Sequence, residues 1–178
     1  MLERSHPLQQ QSSNAPQCAA MTLALVSSLT RIIIRADQKA AIAIGDMLGV
    51  ALPAAPCRSN ASSDRAALWL GPDEWLVLAD KSTKLPTTYA AGSIVDVSHR
   101  DTALSVSGPR AAWTINAFCA LDLHLSAFPV GMCTRTVLGK AQIVLWRTAA
   151  DTFHIEVARS FAPYVWACLE EARREFLV

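Results

Sequence analysis

The sequence predicts an α+β fold of two related βαββ-type halves, each an antiparallel sheet with helices on one face. Three observations lead there. The order strand, helix, hairpin occurs twice, at roughly residues 29–79 and 102–157. Each hairpin turns on residues suited to a tight reversal, Gly71-Pro72-Asp73-Glu74 in the first half and Gly139-Lys140 in the second. Phe153-His154-Ile155-Glu156-Val157 alternates strictly between apolar and polar, the period of a strand with one buried face.

Taken in order, Leu29 to Arg35 reads as a strand because three consecutive β-branched isoleucines sit between arginines. Gln38 to Leu48 is alanine-rich and meets Gly49, a residue suited to stopping a helix. Residues 51–64 carry Pro53 and Pro56 and read as a loop. Strands follow at Ala66–Leu70 and Trp75–Ala79, then a connector over 80–92. Ile94–Val97 and Thr102–Ser107 read as strands, and Gly108-Pro109 opens a helix over about 109–121 with Ala112, Ile115 and Cys119 along one face. A hairpin of Arg135–Leu138 and Ala141–Arg147 precedes the alternating strand, whose His154 and Glu156 are assigned to an outward, solvated face. The final helix is expected over about 161–176, capped by Ser160, with Phe161, Val165, Cys168, Leu169 and Ala172 as its apolar stripe.

Before the first of these strands, Arg4 precedes an apolar stretch from Cys18 to Val26, and Val26-Ser27-Ser28 has the look of a signal-peptidase site. The polar run Gln9 to Asn14 is too long for such a leader, so residues 1–17 are expected to be a disordered tail. Residues 18–178 then form a single domain of two halves, about 29–92 and 93–178.

Composition limits function. Sixteen basic residues balance fifteen acidic ones and are scattered, so a nucleic-acid partner lacks its electrostatic footprint. The apolar fraction is 52% against 17% charged, yet no run reaches the ~18 residues of a membrane span. Excess apolar surface without a span points to a protein partner. The five cysteines, at 18, 57, 119, 133 and 168, include no C-x-x-C pair, which fits buried thiols in a reduced cytoplasmic compartment. Of five tryptophans, Trp113 is assigned to packing, while Trp69 and Trp75 stay open between core and interface.

Each candidate chemistry lacks a component. Ser98-His99-Arg100-Asp101 holds hydrolase ingredients, but a triad is a spatial arrangement and no G-x-S-x-G elbow exists. Asp122 and His124 do not complete a metal set. Gly139-Lys140 lacks the first glycine of a phosphate loop and the hydroxyl residue after its lysine, and no G-x-G-x-x-G follows the first strand. No catalytic, cofactor-binding or metal-binding residue is assigned.

The segment Leu68-Trp69-Leu70-Gly71-Pro72-Asp73-Glu74-Trp75-Leu76 resembles the signature of the sarcosine oxidase gamma-subunit family. Val95-Asp96-Val97-Ser98-His99-Arg100, Val106-Ser107-Gly108-Pro109 and Cys119-Ala120-Leu121-Asp122-Leu123 support it. So do Phe128-Pro129-Val130-Gly131, Leu145-Trp146-Arg147-Thr148 and Ala158-Arg159-Ser160-Phe161-Ala162, all in the expected order across residues 29–175. The resemblance implies a non-catalytic gamma subunit whose partners are the alpha, beta and delta subunits of a heterotetramer. That assembly oxidises sarcosine to glycine with hydrogen peroxide and passes the one-carbon unit to tetrahydrofolate. FAD, FMN, NAD, zinc and tetrahydrofolate are implied in the partner subunits, with none in this chain. It also implies a fold like the folate-binding domain of aminomethyltransferases. A stand-alone folate-binding aminomethyltransferase-like protein is therefore the alternative. Against it, the stretch matching that superfamily's catalytic turn, Gly139-Lys140-Ala141-Gln142-Ile143-Val144, has no carboxylate.

Overall fold

The computed structural model describes residues 6–15, 18–26, 29–83, 86 and 91–177. In chain order the elements are α1 (Gln9–Ser13), β1 (Thr22–Val26), β2 (Leu29–Ala36), α2 (Gln38–Leu48), β3 (Ser59–Ala61), β4 (Arg65–Gly71), β5 (Glu74–Asp80) and β6 (Gly92–Asp96). They continue with β7 (Asp101–Ser107), α3 (Ala111–Asn116), β8 (Cys133–Leu138), β9 (Ala141–Ala149), β10 (Thr152–Ala158) and α4 (Ala162–Arg173), ending in a 3₁₀ turn at Arg174–Phe176. The chain is α+β, with two five-stranded antiparallel sheets and few helices. Among the described residues no helix is long and apolar enough to cross a membrane.

The sheets share one topology. Their strand orders are β3-β4-β5-β2-β6 and β8-β9-β10-β7-β1. Each is built from one strand (β2 or β7), the helix after it and the three strands that follow, and each gains a fifth strand (β6 or β1) on the far side of β2 or β7. The chain is thus two repeats of β-β-α-β-β-β in which the first strand of each pairs in the other's sheet. Accordingly, one compact unit comprises Ser28–Arg100 with Gly131–Thr134, and the other comprises Met1–Ser27, Asp101–Val130 and Arg135–Val178.

In the unit built on 28–100, β2 pairs antiparallel with β5 on one side and β6 on the other. Ile32 and Ile34 alternate into the core with Trp75 and Val77, and α2 covers them through Ala40, Ala41, Ile44 and Leu48. The helix starts where the Asp37 carboxylate accepts the Ala40 amide at 2.8 Å. It stops at Gly49, whose φ of +67° suits a residue without a Cβ. The GPDE turn is held from outside: Arg35 meets Asp73 at 2.7 Å, and the Ala36 amide donates to the Asp73 carbonyl at 3.1 Å. Trp75 is core, and its indole N–H donates to the Pro53 carbonyl at 2.8 Å. Trp69 is half-buried beside it.

In the other unit, β7 lies between β1 and β10. Phe153, Ile155 and Val157 are buried, and β10 meets α3 and α4. Here several expectations need correction. His154 and Glu156 are also buried, so β10 is covered on both faces and its alternation does not mark a solvent side. The third helix is only six residues and buries Ala111, Thr114 and Ile115 but not Ala112, and it ends before Cys119, which is buried in the segment after it. Trp113 is 45% exposed, resting edge-on against Phe176 at 5.0 Å, and is not a core residue. The last helix begins at Ala162 without a Ser160 cap, and its buried stripe is Ala162, Val165, Trp166, Leu169 and Arg173. Pro163 sits in the first turn, and Phe161, just before the helix, is exposed.

The N-terminal region also differs. Inside the segment expected as a disordered tail, Gln9–Ser13 is helical and Leu8 is fully buried. The apolar stretch after it supplies β1, whose register with β7 runs from Thr22 opposite Ser107 to Val26 opposite Ala103. Residues 1–5, 16–17 and Ser27-Ser28 of the supposed leader lie outside the described residues, as do 84–85 and 87–90 of the 80–92 connector. The loop read at 51–64 contains the short strand β3.

Gly108 closes β7 at φ +114°, and a Cβ there would stand 2.8 Å from the Ala20 carbonyl oxygen. Backbone cannot yield as a flexible side chain does. Gly108→Ala is expected to lower stability by about 1–3 kcal/mol, read as an earlier urea midpoint.

Candidate functional site

The most concentrated polar constellation in the unit containing β7 is built on Arg147 of β9. Its side chain is buried, and every guanidinium nitrogen is used. Nε and Nη2 donate to the Ala150 carbonyl at 3.0 and 2.7 Å, and Nη1 donates to the Leu123 and Phe128 carbonyls at 3.0 and 2.6 Å. The cation also lies 4.7 Å from the centre of the Phe153 ring. Burial pushes the guanidinium below its usual pKa while nearby Asp151 opposes the shift. A guanidinium nonetheless stays protonated, and its fixed fork suits several carbonyls at once. All these acceptors are backbone groups, so the arrangement holds a loop.

His154 and Glu156 form a second buried pair, with Nε2 2.7 Å from Oε1. Trp146 lies beside them on β9, its ring centre 5.8 Å from that of His154, and its buried indole N–H has no acceptor. Acid, imidazole and indole come together because His154 stands opposite Trp146 across the sheet and Glu156 is two residues along the same strand. Sequence reading missed the pair by treating alternate polar residues as solvent-facing. The adjacency of Trp146 and His154 could be found only by aligning the two strands.

The remaining candidates do not assemble. Ser98 and His99 lie in a turn closed by the Arg100 amide donating to the Val97 carbonyl at 2.9 Å. The Ser98 hydroxyl accepts the Arg31 amide at 2.9 Å, while its own amide donates to Asp96 at 2.8 Å; hydrogen bonding from the Ser98 side chain first, and then from this amide, lowers the Asp96 pKa. Asp122 accepts the His124 amide at 2.8 Å, and His124 in turn pairs with Ser126 at 2.8 Å, all exposed. Among the described residues no group of three His, Cys, Asp or Glu side chains converges on a possible metal position. Gly139 adopts φ +59° beneath Tyr164, whose hydroxyl accepts the Lys140 amide at 3.1 Å. That turn is therefore covered by a helix residue where a phosphate loop would be open. Cys119 is buried as expected, although it lies beyond the end of α3, and Cys168 is only partly buried.

The sequence profile of the sarcosine oxidase gamma-subunit family matches residues 34–175. The chain belongs to this family. It is 32% identical over 166 residues to the sarcosine oxidase subunit gamma of Corynebacterium sp. strain U-96, covering 88% of this chain and 81% of that one. The Arthrobacter sp. subunit gamma is 30% identical over 88% of this chain and 82% of its own. A solved chain from the heterotetrameric sarcosine oxidase of Corynebacterium sp. U-96, in complex with pyrrole 2-carboxylate, superposes with a TM-score of 0.90. It shares 29% identity, over 98% of this chain and 97% of that one. The glycine cleavage system aminomethyltransferase T from Bartonella henselae shares the fold, at a TM-score of 0.65 and 13% identity, over 85% of this chain and 46% of the transferase.

Within the gamma-subunit family reading, three of the motifs that carried the resemblance meet at one cation. Leu123, Phe128 and Arg147 come from three separate stretches, and the Arg147 guanidinium bonds to the other two. The GPDE motif likewise serves a turn whose Asp73 is paired with Arg35. These motif residues are engaged in holding backbone.

Arg147→Met would leave the Leu123, Phe128 and Ala150 carbonyls without this donor, at about 1–3 kcal/mol for each buried group left unsatisfied. A loss of at least ~3 kcal/mol is expected in chemical unfolding, with Arg147→Lys recovering only part because an ammonium cannot span all three.

Cys133 gives a second test. Burial pushes its thiol up to about 12, with Sγ 3.2 Å from the Arg58 carbonyl and 3.6 Å from that of Trp69. A raised thiol pKa means the uncharged form persists well above pH 8. Cys133 should therefore resist iodoacetamide at pH 8 in the folded chain and react in urea, as peptide mass mapping would read.

Proposed function

We propose that this chain is the gamma subunit of a heterotetrameric sarcosine oxidase and supplies packing surface without reacting groups of its own. The likeness over nearly the full length to a chain of the Corynebacterium heterotetramer is the observation that carries the reading. The enzyme so assembled oxidises sarcosine to glycine with release of hydrogen peroxide and passes the one-carbon unit to tetrahydrofolate. FAD, FMN, NAD, zinc and tetrahydrofolate belong to the alpha, beta and delta partners, and the assembly works in the cytoplasm.

Three features of the chain support a scaffold role. The polar constellation of Arg147 is satisfied by backbone carbonyls. The turn that matches the transferase's catalytic segment carries no carboxylate and is covered by Tyr164. Apolar side chains also remain exposed, including Ile42 at 70%, Trp113, Phe161 and Val137. Such residues suit contact with other chains.

The shared fold with an aminomethyltransferase keeps one other reading open to test, a chain that binds folate by itself. The two differ in a simple experiment. Under the subunit reading, the purified chain is colourless, does not oxidise sarcosine and gives no heat with tetrahydrofolate. Co-expressed with the three partner chains, it is recovered in one complex with flavin absorbance. A soluble monomer that ignores those chains, or saturable tetrahydrofolate binding by the chain alone, would overturn it.

A further inference from the structure

Two cysteines from distant parts of the chain stand opposite one another at a strand-like contact. Arg58 bridges antiparallel to Met132. On one side of the bridge the Ser59 amide donates to the Gly131 carbonyl at 2.9 Å, and on the other the Cys133 amide donates to the Cys57 carbonyl at 3.0 Å. Cys57 and Cys133 are therefore the next opposed pair, and both belong to the unit built on 28–100. Opposed residues that share such a bond have Cα atoms about 5.5 Å apart, inside the ~4.4–6.8 Å window of a disulfide.

The Cys133 sulfur is turned toward this stretch, its S–H donating at 3.2 Å to the carbonyl of Arg58, the residue after Cys57. Burial foremost, and to a smaller extent a charge on Cys57, push the Cys133 thiol up to about 12, so the two sulfurs feel one another. Both thiols are free, Cys133 buried and Cys57 partly exposed. Cys57 also adopts φ +57°, and among the described residues it is the one non-glycine residue with positive φ. Backbone held in this region clusters at switch and active sites.

We propose that Cys57 and Cys133 are a modification site, closing into a reversible disulfide when the chain meets hydrogen peroxide. Cys57, the more exposed thiol, attacks one peroxide oxygen as the O–O bond breaks, giving a sulfenic acid and water. The Cys133 sulfur then displaces the sulfenic hydroxyl, which leaves with the Cys133 proton as a second water. Two thiols and one peroxide become one disulfide and two waters. Burial keeps Cys133 protonated and inert to peroxide by itself, which fixes the order. The Arg58 carbonyl loses the thiol donor but keeps the Trp69 amide at 3.0 Å, so it is not orphaned. The disulfide takes no part in oxidising a substrate. Its chemistry does not depend on the subunit reading, under which the assembly's own product is one source of peroxide.

The test exposes the reduced full chain to a severalfold excess of hydrogen peroxide, removes the excess with catalase, blocks free thiols with iodoacetamide in urea and maps peptides without reductant. A linked pair of peptides carrying Cys57 and Cys133, lighter by two hydrogens, is expected, and dithiothreitol should return both thiols. Cys133→Ala should stop at a Cys57 sulfenic acid that dimedone captures, whereas Cys57→Ala should leave Cys133 a thiol at the same dose. A general loosening of the fold does not produce this asymmetry, because it opens Cys133 to peroxide directly. The proposal fails if the wild-type chain keeps both thiols under peroxide that fully oxidises glutathione, or carries Cys57 to the sulfinic acid with Cys133 still free. Linkage of either cysteine to Cys18, Cys119 or Cys168 instead would also overturn it. The wild-type mapping decides the matter even where a variant does not fold.

Discussion

One guanidinium carries the least regular part of the chain. Between α3 and β8 there are sixteen residues without helix or strand, numbers 117–132. A long irregular segment that packs inward brings carbonyls that no ladder satisfies. Arg147 answers this from the middle of a strand, reaching Leu123 and Phe128 on the segment and Ala150 at the next turn. Placing a cation indoors is unfavourable alone, and the depressed pKa records that cost. Four donated bonds and the Phe153 ring face offset it. Once the segment is tied down, Phe128 can lie 6.5 Å from Phe153, and the core beneath β10 closes.

The duplicated topology is the second constraint. Each sheet takes its fifth strand from the start of the other repeat, so β1 needs β7 and β6 needs β2. Neither repeat is complete as a continuous piece of chain. A fold assembled this way binds distant sequence into each sheet. Several polar side chains hold backbone: Ser98 the Arg31 amide, Asp122 the His124 amide, Tyr164 the Lys140 amide. The His154–Glu156 pair is buried beside Trp146.

Local features were legible where a residue's own chemistry decides the outcome. Gly49 ends α2 because glycine tolerates positive φ there, whereas the Asp37 cap at its start emerged only from the structure. The GPDE and Gly139-Lys140 turns fall where proline and glycine require them. The isoleucines at 32 and 34 face inward by simple alternation. The same rule failed at His154 and Glu156, since alternation predicts a polar face but not what covers it. The extent of α3 was overread for a related reason: Phe118 and Cys119 look helical by composition, yet the segment turns away after Asn116, whose side chain donates to the Cys119 and Leu121 carbonyls. No local signal announced α1 or β1, because a five-residue helix and an edge strand draw their stability from what they pack on.

What the sequence by itself determined is the inventory: α+β halves in repeated order, their turns, and motifs specific enough to show the family. Only the tertiary structure decided the partners. It exchanged the first strands between sheets, gathered three motifs onto Arg147 and buried a histidine with a glutamate. It also buried the Arg173 Nε–H with no acceptor among the described residues. The reason is physical. Turns and helix ends depend on a few adjacent residues, whereas strand pairing and the satisfaction of a buried cation depend on groups many residues apart. Their meeting is settled by the free energy of the whole packed chain.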